Sequence, residues 1–339
     1  MHKAISTVIA SILILMIVVA LGGTTYLYVS GVFTGKTAAT FEVIDSVNNT
    51  LIIRNSGTNP ITSFSSITLD GNAVNIAVVP NIQGVVGYWS FNEGSGSTTD
   101  DNSGNKNVGT LGPSCPNCPA WQDGKFSKAL SFDGVDDYVD AGNDVSLRPS
   151  DALTVTAWIK NRGGATTTEI INYRKDNVPD YTLYYIYRSF VLVNVNDGTT
   201  HGAGVASVYN GGDLPNEWKH VALVFSRADR TLKSYIDGVL QSSVGSTGGD
   251  YPLHVNAPNL DKLYFGSAKP GLRPADVLID EVSIYNRALS GGEISALYSG
   301  LVTPGQLATI KPLASLSKGT HTLRLCTSSM CNTAILTII

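Results

Sequence analysis

Residues 277–298 read VLIDEVSIYNRALSGGEISALY and place a strand pattern directly before a helix pattern. The alternation in VLIDEVSIY predicts a half-buried β-strand in which Asp280 and Glu281 point to opposite faces of a sheet. Ser290 followed three residues later by Glu293 is a capping-box pattern, and it predicts a helix that begins after Ser290. This is the one helical signal in a region otherwise made of strand and turn patterns.

Further strand patterns precede this stretch. LTVTAWIK, KHVALVF and LKSYIDG alternate apolar and polar residues with period two, as half-buried antiparallel strands do. The successive blocks are GVVGYWSFNEGSGSTTDDNSGNKNVGTL (84–111), WQDGKFSKALSFDGVDDYVDAG (121–142), LTVTAWIK (153–160), NEWKHVALVFSRADRTLKSYIDGVLQSS (216–243) and KLYFGSA (262–268). In this order, with residues 277–298 as the last block, they resemble the laminin-G-like, concanavalin A-like jelly roll. The resemblance implies that fold for residues 83–299.

The segments on either side of this domain also contain short strands. Residues 39–82 hold runs such as FEVIDSV and NTLIIRNSG and form about half of a small sandwich, too little to bury a core alone. The missing strands are predicted in residues 300–339, at LATI and THTLRL after turn residues. Together the two halves resemble the immunoglobulin-like head of archaeal type IV pilins. We therefore expect the jelly roll to be inserted into one loop of that head.

The amino-terminal residues 1–38 contain an uncharged, largely apolar run from Ala4 to Thr34. A helix that is apolar on every side must be buried in lipid or among other helices. A cleaved signal peptide, a plain membrane anchor and a pilin helix are all open as interpretations. The motif Lys3-Ala4-Ile5 resembles the processing site of archaeal pilins, which implies cleavage there and a retained helix in a filament. The residues expected in the filament core are Ile5, Val8, Ile9, Ile12, Leu13, Leu15, Met16, Val19 and Leu21.

Composition is typical of an exported, mainly β protein. Charged residues make up 15% of the 339-residue chain, and the formal net charge of −4 argues against nucleic acid as a partner. The four cysteines fall into two close pairs. Behind an export segment they predict two disulfides, Cys115–Cys118 in a proline-rich loop and Cys326–Cys331 across a hairpin turn. A tetrathiolate zinc site shared by all four is the alternative.

Residues 100–107, DDNSGNKN, concentrate oxygen ligands around a glycine, as calcium sites require. In the laminin-G-like family the matching loop and the acid near the last strand commonly hold a structural calcium ion. The resemblance therefore implies calcium at Asp101, Asn105 and Asp280. The alternative is a metal-free Asx turn with Asp280 satisfied by backbone donors. A second acidic cluster, Asp133, Asp136, Asp137 and Asp140, is expected to consist of turn and surface residues, and a contribution to metal or ligand binding is the alternative.

Aromatic residues are the candidate ligand-binding groups, because rings stack on the apolar faces of sugars. Tyrosines crowd into residues 171–190, and alternation places Tyr181, Tyr185 and Tyr187 on one face of a strand if no bulge intervenes. These three are the predicted glycan-binding residues, and a core role for part of the set is the alternative. The sequon that begins at Asn48 predicts glycosylation of that residue at a cell surface.

Concanavalin A-like glycosidases usually carry their acids along one strand as E-x-D-x-x-E, and this sequence lacks that pattern. We therefore predict no enzymatic activity and no catalytic residue. The predicted protein is mainly β, with a long N-terminal apolar α-helix and a small immunoglobulin-like sandwich interrupted by a concanavalin A-like jelly roll.

The expected function is that of a structural subunit of an archaeal type IV-like pilus. It would form a helical homopolymer at the cell surface, be held in the cytoplasmic membrane before assembly, and bind cell-surface glycans. The alternatives are a monomeric membrane-anchored adhesion protein with the same domains and, third, an extracellular glycosidase.

Overall fold

The structure is a computed structural model that describes residues 39–47, 50–149, 151–162, 167–175, 178–187, 190–196, 202–207, 216–245, 262–267, 270–314 and 316–338. The chain forms two compact units. One contains residues 39–81, 301–312 and 316–338, and we call it the interrupted sandwich. The other, the jelly-roll unit, contains residues 82–300 and 313–314. Residues 1–38, and with them the predicted apolar helix, lie outside the described residues.

The interrupted sandwich begins with five short strands. They are β1 (Phe41–Val47), β2 (Thr50–Asn55), β3 (Ser66–Leu69), β4 (Asn72–Ala73) and β5 (Ile76–Pro80). Asp70 and Gly71 form the turn between β3 and β4 with φ values of +50° and +83°. A two-residue hairpin turn of this kind needs positive φ at both positions, which explains the Asp-Gly pair.

The jelly-roll unit follows with sixteen described strands, a short 3-10 helix at Val145–Leu147 and one α-helix. The first strands are β6 (Val85–Trp89), β7 (Thr98–Thr99), β8 (Gly109–Gly112), β9 (Ala120–Asp123), β10 (Lys128–Asp133), β11 (Tyr138–Asp140), β12 (Ala152–Asn161) and β13 (Thr167–Lys175). The others are β14 (Val178–Tyr187), β15 (Phe190–Asn196), β16 (Gly202–Ser207), β17 (Trp218–Ser226), β18 (Thr231–Ile236), β19 (Val239–Gly245), β20 (Lys262–Phe265) and β21 (Asp276–Tyr285).

The helix α1 (Gly291–Ser299) begins as the sequence predicts. The Ser290 side chain accepts a hydrogen bond from the Glu293 backbone N–H, and the Glu293 side chain accepts one from the Ser290 backbone N–H. The predicted capping box is therefore confirmed. Gly300 ends the helix in the left-handed conformation, with φ +68°. A glycine takes this backbone geometry without steric penalty.

Two antiparallel sheets make up the jelly-roll unit. Sheet I has the strand order β19-β18-β17-β12-β21-β10-β9, with β6 also paired to β21. Sheet II has the order β16-β15-β14-β13-β20-β11-β8-β7. The inner faces of the sheets share one core, which includes Trp89, Phe132, Tyr173, Ile279 and Phe265. A second apolar cluster joins α1 to the outer face of sheet I.

Three strands after the jelly-roll unit complete the interrupted sandwich. They are β22 (Leu307–Pro312), β23 (Gly319–Cys326) and β24 (Cys331–Ile338). The described residues form two four-stranded sheets, β1-β2-β22-β5 and β24-β23-β3-β4, so each sheet combines strands from both ends of the chain. Their shared core includes Phe41, Ile53, Ile310 and Leu323. Neither half could bury this core without the other.

The position of the insertion follows from the pairing of β5 with β22. These strands are antiparallel neighbours, with Pro80 opposite Ala308, so the jelly-roll unit occupies the connection of a β-hairpin. Within the jelly-roll unit, Ile82 at its start packs in the same cluster as Ile294 of the terminal helix α1. The two ends of the inserted unit therefore lie close together, as a tolerated insertion requires.

Candidate functional site

Asp101 organises the loop at residues 100–107. Its Oδ1 accepts hydrogen bonds from the backbone N–H groups of Tyr88 (2.9 Å) and Ser103 (2.8 Å). Its Oδ2 accepts from the backbone and side-chain nitrogens of Asn107 (3.0 and 3.1 Å). An ionised carboxylate has about four acceptor positions, so these four donors fill them.

The other two predicted calcium ligands also make hydrogen bonds within the protein. Asn105 donates its side-chain amide to the Val86 carbonyl (2.8 Å), and Asp280 accepts from the backbone N–H of Phe126 (2.9 Å). N–H donors already occupy the acceptor positions of Asp101, so its surroundings do not fit a cation there. The contacts are those of the metal-free Asx turn, the alternative that the sequence left open. Calcium at this loop stays a prediction.

The strand β21 contains a bulge at Asp280 and Glu281. The register with β12 shifts between Thr156 and Trp158, and Glu281 has a φ of +52°. The residues on either side, Ile279 and Val282, both point into the core of the jelly-roll unit. Asp280 and Glu281 therefore lie together on the outer face of sheet I. The prediction of opposite faces is wrong, because the extra residue resets the alternation.

The outer face beside Asp280 holds a packed group of aromatic and basic side chains. The Trp158 ring contacts His220 (5.4 Å between centroids) and Phe126 (5.8 Å), and the Lys125 ammonium lies 4.1 Å from the Trp158 ring centroid. His220 is 3% exposed, and its Nδ1 has no hydrogen-bond partner among the described residues. Burial, with a smaller contribution from Lys125, lowers the pKa of His220 to about 3. The ring is therefore neutral at physiological pH.

Both carboxylates of the bulge are enclosed by protein. Asp280 is fully buried, and Glu281 is 7% exposed. The Tyr88 hydroxyl donates a hydrogen bond to Glu281. Burial, and then the charge of Glu281, raise the pKa of Tyr88 well above its usual value. In this conformation the pair is not presented to a substrate.

Sheet II carries a half-buried aromatic group on its outer face. Tyr138 and Asp140 flank the buried Val139 on β11, and Tyr264 is directly opposite Asp140 on β20. The rings of Tyr138 and Tyr264 meet edge to face, with centroids 6.1 Å apart. The Lys262 ammonium is 2.6 Å from Oδ2 of Asp140. We call Tyr138, Asp140, Lys262 and Tyr264 the tyrosine platform.

The tyrosine platform is held in place by its neighbours. The Tyr138 ring lies against the backbone of Gly112, where an added Cβ would stand 2.2 Å from the tyrosine Cζ. Oδ1 of Asp140 accepts a hydrogen bond from the Gly142 backbone N–H (3.0 Å). Burial, and then Asp140, raise the pKa of Tyr264 to about 12, so its hydroxyl stays protonated. The platform thus offers apolar ring surface with a carboxylate acceptor and an ammonium donor beside it.

The predicted tyrosines lie on β14 of the same sheet. In register, Tyr181 is opposite Tyr173 and Tyr185 is opposite Glu169. The pairing of β14 with β15 shifts between Leu183 and Tyr185, so a bulge does interrupt the strand on that side. The side chains of Tyr181, Tyr185 and Tyr187 lie outside the described part of the structure, and glycan binding by these three stays a prediction.

The second acidic cluster is compact. Carboxylate oxygens of Asp133, Asp136 and Asp137 lie within 4.8 Å of one another. Asp137 is buried and accepts a hydrogen bond from the Asp133 backbone N–H (2.8 Å), and burial raises its pKa to about 6. Asp133 in turn accepts from the Val135 backbone N–H. These contacts order the turn between β10 and β11.

The cysteine prediction is confirmed: Cys115–Cys118 and Cys326–Cys331 both form disulfides. The second closes the hairpin between β23 and β24, where the two cysteines are in register. The sequon residue Asn48 and the proposed processing residues Lys3, Ala4 and Ile5 fall outside the described residues. Within the described part of the chain, no helix is long and apolar enough to cross a membrane.

Comparisons with known proteins agree with the jelly-roll architecture. Residues 133–295 match a family model, Laminin_G_3, described as the concanavalin A-like lectin/glucanases superfamily. The binding domain of Paraclostridial Mosquitocidal Protein 1 matches with a TM-score of 0.50 and 15% identity, covering 63% of this chain and 52% of that one. Residues 133–295 therefore belong to a laminin-G-like, concanavalin A-like jelly roll.

Two further structures are similar at lower scores. The binding domain of botulinum neurotoxin serotype G has a TM-score of 0.49 and 15% identity, covering 63% of this chain and 50% of that chain. Domain 4 of AbnA, a GH43 extracellular arabinanase from Geobacillus stearothermophilus, in complex with arabinotriose, has a TM-score of 0.44 and 22% identity. The match covers 63% of this chain and 98% of the AbnA domain. No curated protein matches the chain.

The sequence did not single out the tyrosine platform. One signal was available, since DYVD predicts Tyr138 and Asp140 on one face and Val139 on the other. The neighbouring Tyr264 and Lys262 come from a strand far along the chain, and only the pairing of β11 with β20 brings them together.

Proposed function

We propose that this protein is an exported adhesion subunit that binds glycans through the tyrosine platform of its jelly roll. The observation that carries the proposal is the pair of ordered tyrosine rings beside Asp140 and Lys262 on the outer face of sheet II. Sugars are bound by ring stacking together with a few fixed donors and acceptors. The match of residues 133–295 to the concanavalin A-like lectin/glucanases superfamily supports a saccharide ligand.

Binding rather than cleavage is the proposed role. Glycosidases need two carboxylates that reach the scissile bond from opposite sides. The adjacent pair Asp280 and Glu281 is buried on the other sheet, away from the tyrosine platform. Because these buried carboxylates cannot reach a glycosidic bond, they favour a domain that binds sugars without hydrolysing them.

The adhesion subunit is proposed to form an archaeal type IV-like pilus. This part rests on the uncharged run from Ala4 to Thr34, which would be stored in the cytoplasmic membrane and then packed among copies of itself. An interrupted sandwich assembled from both ends of the chain is consistent with a pilin head that carries an inserted domain. The jelly roll would then be displayed outside the cell.

Glycan binding is tested by screening the full chain in detergent against an array of plant, bacterial and archaeal polysaccharides. For any glycan that binds, Tyr264→Ala should weaken binding about five- to tenfold, since each stacked ring contributes on the order of 1–1.5 kcal/mol. Tyr298→Ala is the matched control, because Tyr298 is 39% exposed but lies on α1 beside sheet I. Equal losses in the two variants, or no binding to any glycan, would contradict the platform.

The filament is tested separately on surface material shed from cells that express the chain. Mass spectrometry should find a mature amino terminus near Ile5, and cryo-electron microscopy should show filaments that contain this protein. An intact Met1 on a monomeric, membrane-bound chain would instead favour the anchored adhesion protein.

A further inference from the structure

The interrupted sandwich has four edge strands among its described residues: β1, β5, β4 and β24. Natural sheets protect such edges with charges, bulges, prolines or very short strands, because an open edge pairs with other chains. β1 contains Glu42 and Asp45 and a register shift between Val43 and Asp45. β4 has two residues, and β5 ends at Pro80. Three of the four edges therefore carry a recognised protection.

The edge strand β24 differs from these three. Its eight residues, CNTAILTI, include no charge and no proline, and it keeps an unshifted register with β23 from end to end. Ala334 and Leu336 point into the core, whereas Thr333, Ile335 and Thr337 are exposed. Ile335 is 50% exposed, although it lies in the middle of the strand.

The beginning of β24 is hydrogen-bonded to β1, a strand of the other sheet that lies beside it. The Asn332 side chain donates a hydrogen bond to the Phe41 carbonyl of β1 (2.9 Å). From Thr333 to Ile338, no described strand is paired with the side of β24 that faces away from β23. This stretch is long enough to add a strand through backbone hydrogen bonds.

We infer that β24 pairs with β24 of a second copy of this chain in an antiparallel arrangement. A two-fold axis makes such a contact self-complementary, and a strand without charge meets no like-charge repulsion when it faces itself. Centring the axis on Ile335 places the two exposed Ile335 side chains opposite each other and Thr333 opposite Thr337. The two four-stranded sheets then join into one continuous sheet of eight strands. This contact uses no residue of the N-terminal run, so it goes beyond the proposed filament helix.

Cysteine cross-linking of the full chain in detergent tests the contact and its register. All four native cysteines form disulfides, so an introduced cysteine is the one free thiol. Under mild oxidation, Ile335→Cys should give a covalent dimer, because directly opposed residues have Cβ atoms about 5 Å apart. Thr333→Cys should not, because its own copy would lie four residues along the strand, roughly 13 Å away.

Ile44→Cys is the matched control, since Ile44 is 44% exposed but lies on the charged edge β1. A dimer of Ile335→Cys no stronger than that of Ile44→Cys or Thr333→Cys would overturn the inference. In a second measurement, Ile335→Lys should weaken self-association measured by light scattering at least about tenfold, while Ile44→Lys leaves it unchanged. Unaltered self-association of Ile335→Lys would also overturn it. Filaments in which neighbouring copies do not pair through β24 would contradict the inference and would leave the proposed function unaffected.

Discussion

His220 of the jelly-roll unit and His321 of the interrupted sandwich occupy opposite environments. His220 lies under Trp158 on the outer face of sheet I, with a neutral ring and a pKa of about 3. His321 lies near the surface, with Nδ1 2.7 Å from a carboxylate oxygen of Asp70 and Nε2 2.9 Å from the Ser317 carbonyl. Both of its neighbours are acceptors, so the doubly protonated ring satisfies both.

The two histidines differ because their surroundings shift the pKa of the imidazole in opposite directions. In the jelly-roll unit, packing removes water from His220 without supplying an acceptor, so the proton is excluded. In the interrupted sandwich, hydrogen bonds to Asp70 and Ser317 raise the pKa of His321. The contact with His321 and the Thr322 backbone N–H in turn lower the pKa of Asp70. The contributions of the two histidines to stability should therefore depend on pH in opposite directions.

The largest expected effect is acid destabilisation of the jelly-roll unit. The folded state binds a proton at His220 only near pH 3, whereas the ordinary value is 6.5, so protonation favours unfolding. The contribution of the neutral His220 ring to stability is fully present above pH 6.5 and falls on the order of 4 kcal/mol as the pH drops towards 3. Asp137 offsets part of this loss below about pH 6, because its raised pKa favours the folded state in acid. All four tryptophans lie in the jelly-roll unit, so denaturation followed by their fluorescence reports on it alone.

The control for this experiment separates His220 from other acid effects. His220→Gln should flatten the slope of unfolding free energy between pH 6.5 and 5, even if the variant is less stable at pH 7. His321→Gln should leave that slope as it is. If the unfolding free energy of His220→Gln kept the wild-type slope against pH, His220 would not be the cause of the acid destabilisation.

A second prediction compares two carboxylates that bind backbone N–H groups. Asp101→Ala strands three backbone donors and one side-chain donor, and we expect a loss of about 3 kcal/mol from the jelly-roll unit. Asp100→Ala, one residue earlier at an exposed position, should change the same fluorescence midpoint little. The thermal unfolding midpoint, measured once with calcium and once with a chelator, tests whether the loop binds calcium. Equal midpoints in both would support the metal-free turn, and a calcium-dependent rise that Asp101→Ala abolishes would support calcium instead.

The smallest effect concerns the surface pair in the interrupted sandwich. NMR titration of the imidazole signals should give His321 a pKa above 6.5, and Asp70→Asn should bring it back towards that value. The contribution of the pair to stability is present below pH 6.5 and is lost as the pH rises through the folded pKa. A His321 signal that titrates at or below 6.5 in the wild type would break the comparison with His220.

Local patterns predicted much of the fold. Period-two alternation indicated the strands of the jelly roll, and the Ser290–Glu293 pair predicted the start of α1. The two cysteine pairs sit at short separations, and both disulfides formed as expected. These features depend on residues near one another in the chain, and single-sequence reasoning reads such signals best.

The candidate site could not be predicted in the same way. The bulge that turns Asp280 and Glu281 to one face depends on how β21 pairs with β12, and no local residue pattern announces it. The tyrosine platform depends on β11 lying beside β20. Tyrosine density pointed to β14 instead, because density along the chain says nothing about which strands become neighbours.

By itself, the sequence determined that this is a mainly β protein, since alternation, turns and caps are properties of adjacent residues. The concanavalin A-like jelly roll was implied by the resemblance of its ordered blocks to a known family. Only the tertiary structure decided which side chains meet: His220 with Trp158, Tyr138 with Tyr264, and the first strands of the interrupted sandwich with the last. The physical reason is that burial and the pKa shifts that it causes are set by partners distant in the chain, and these exist only once the sheets have closed.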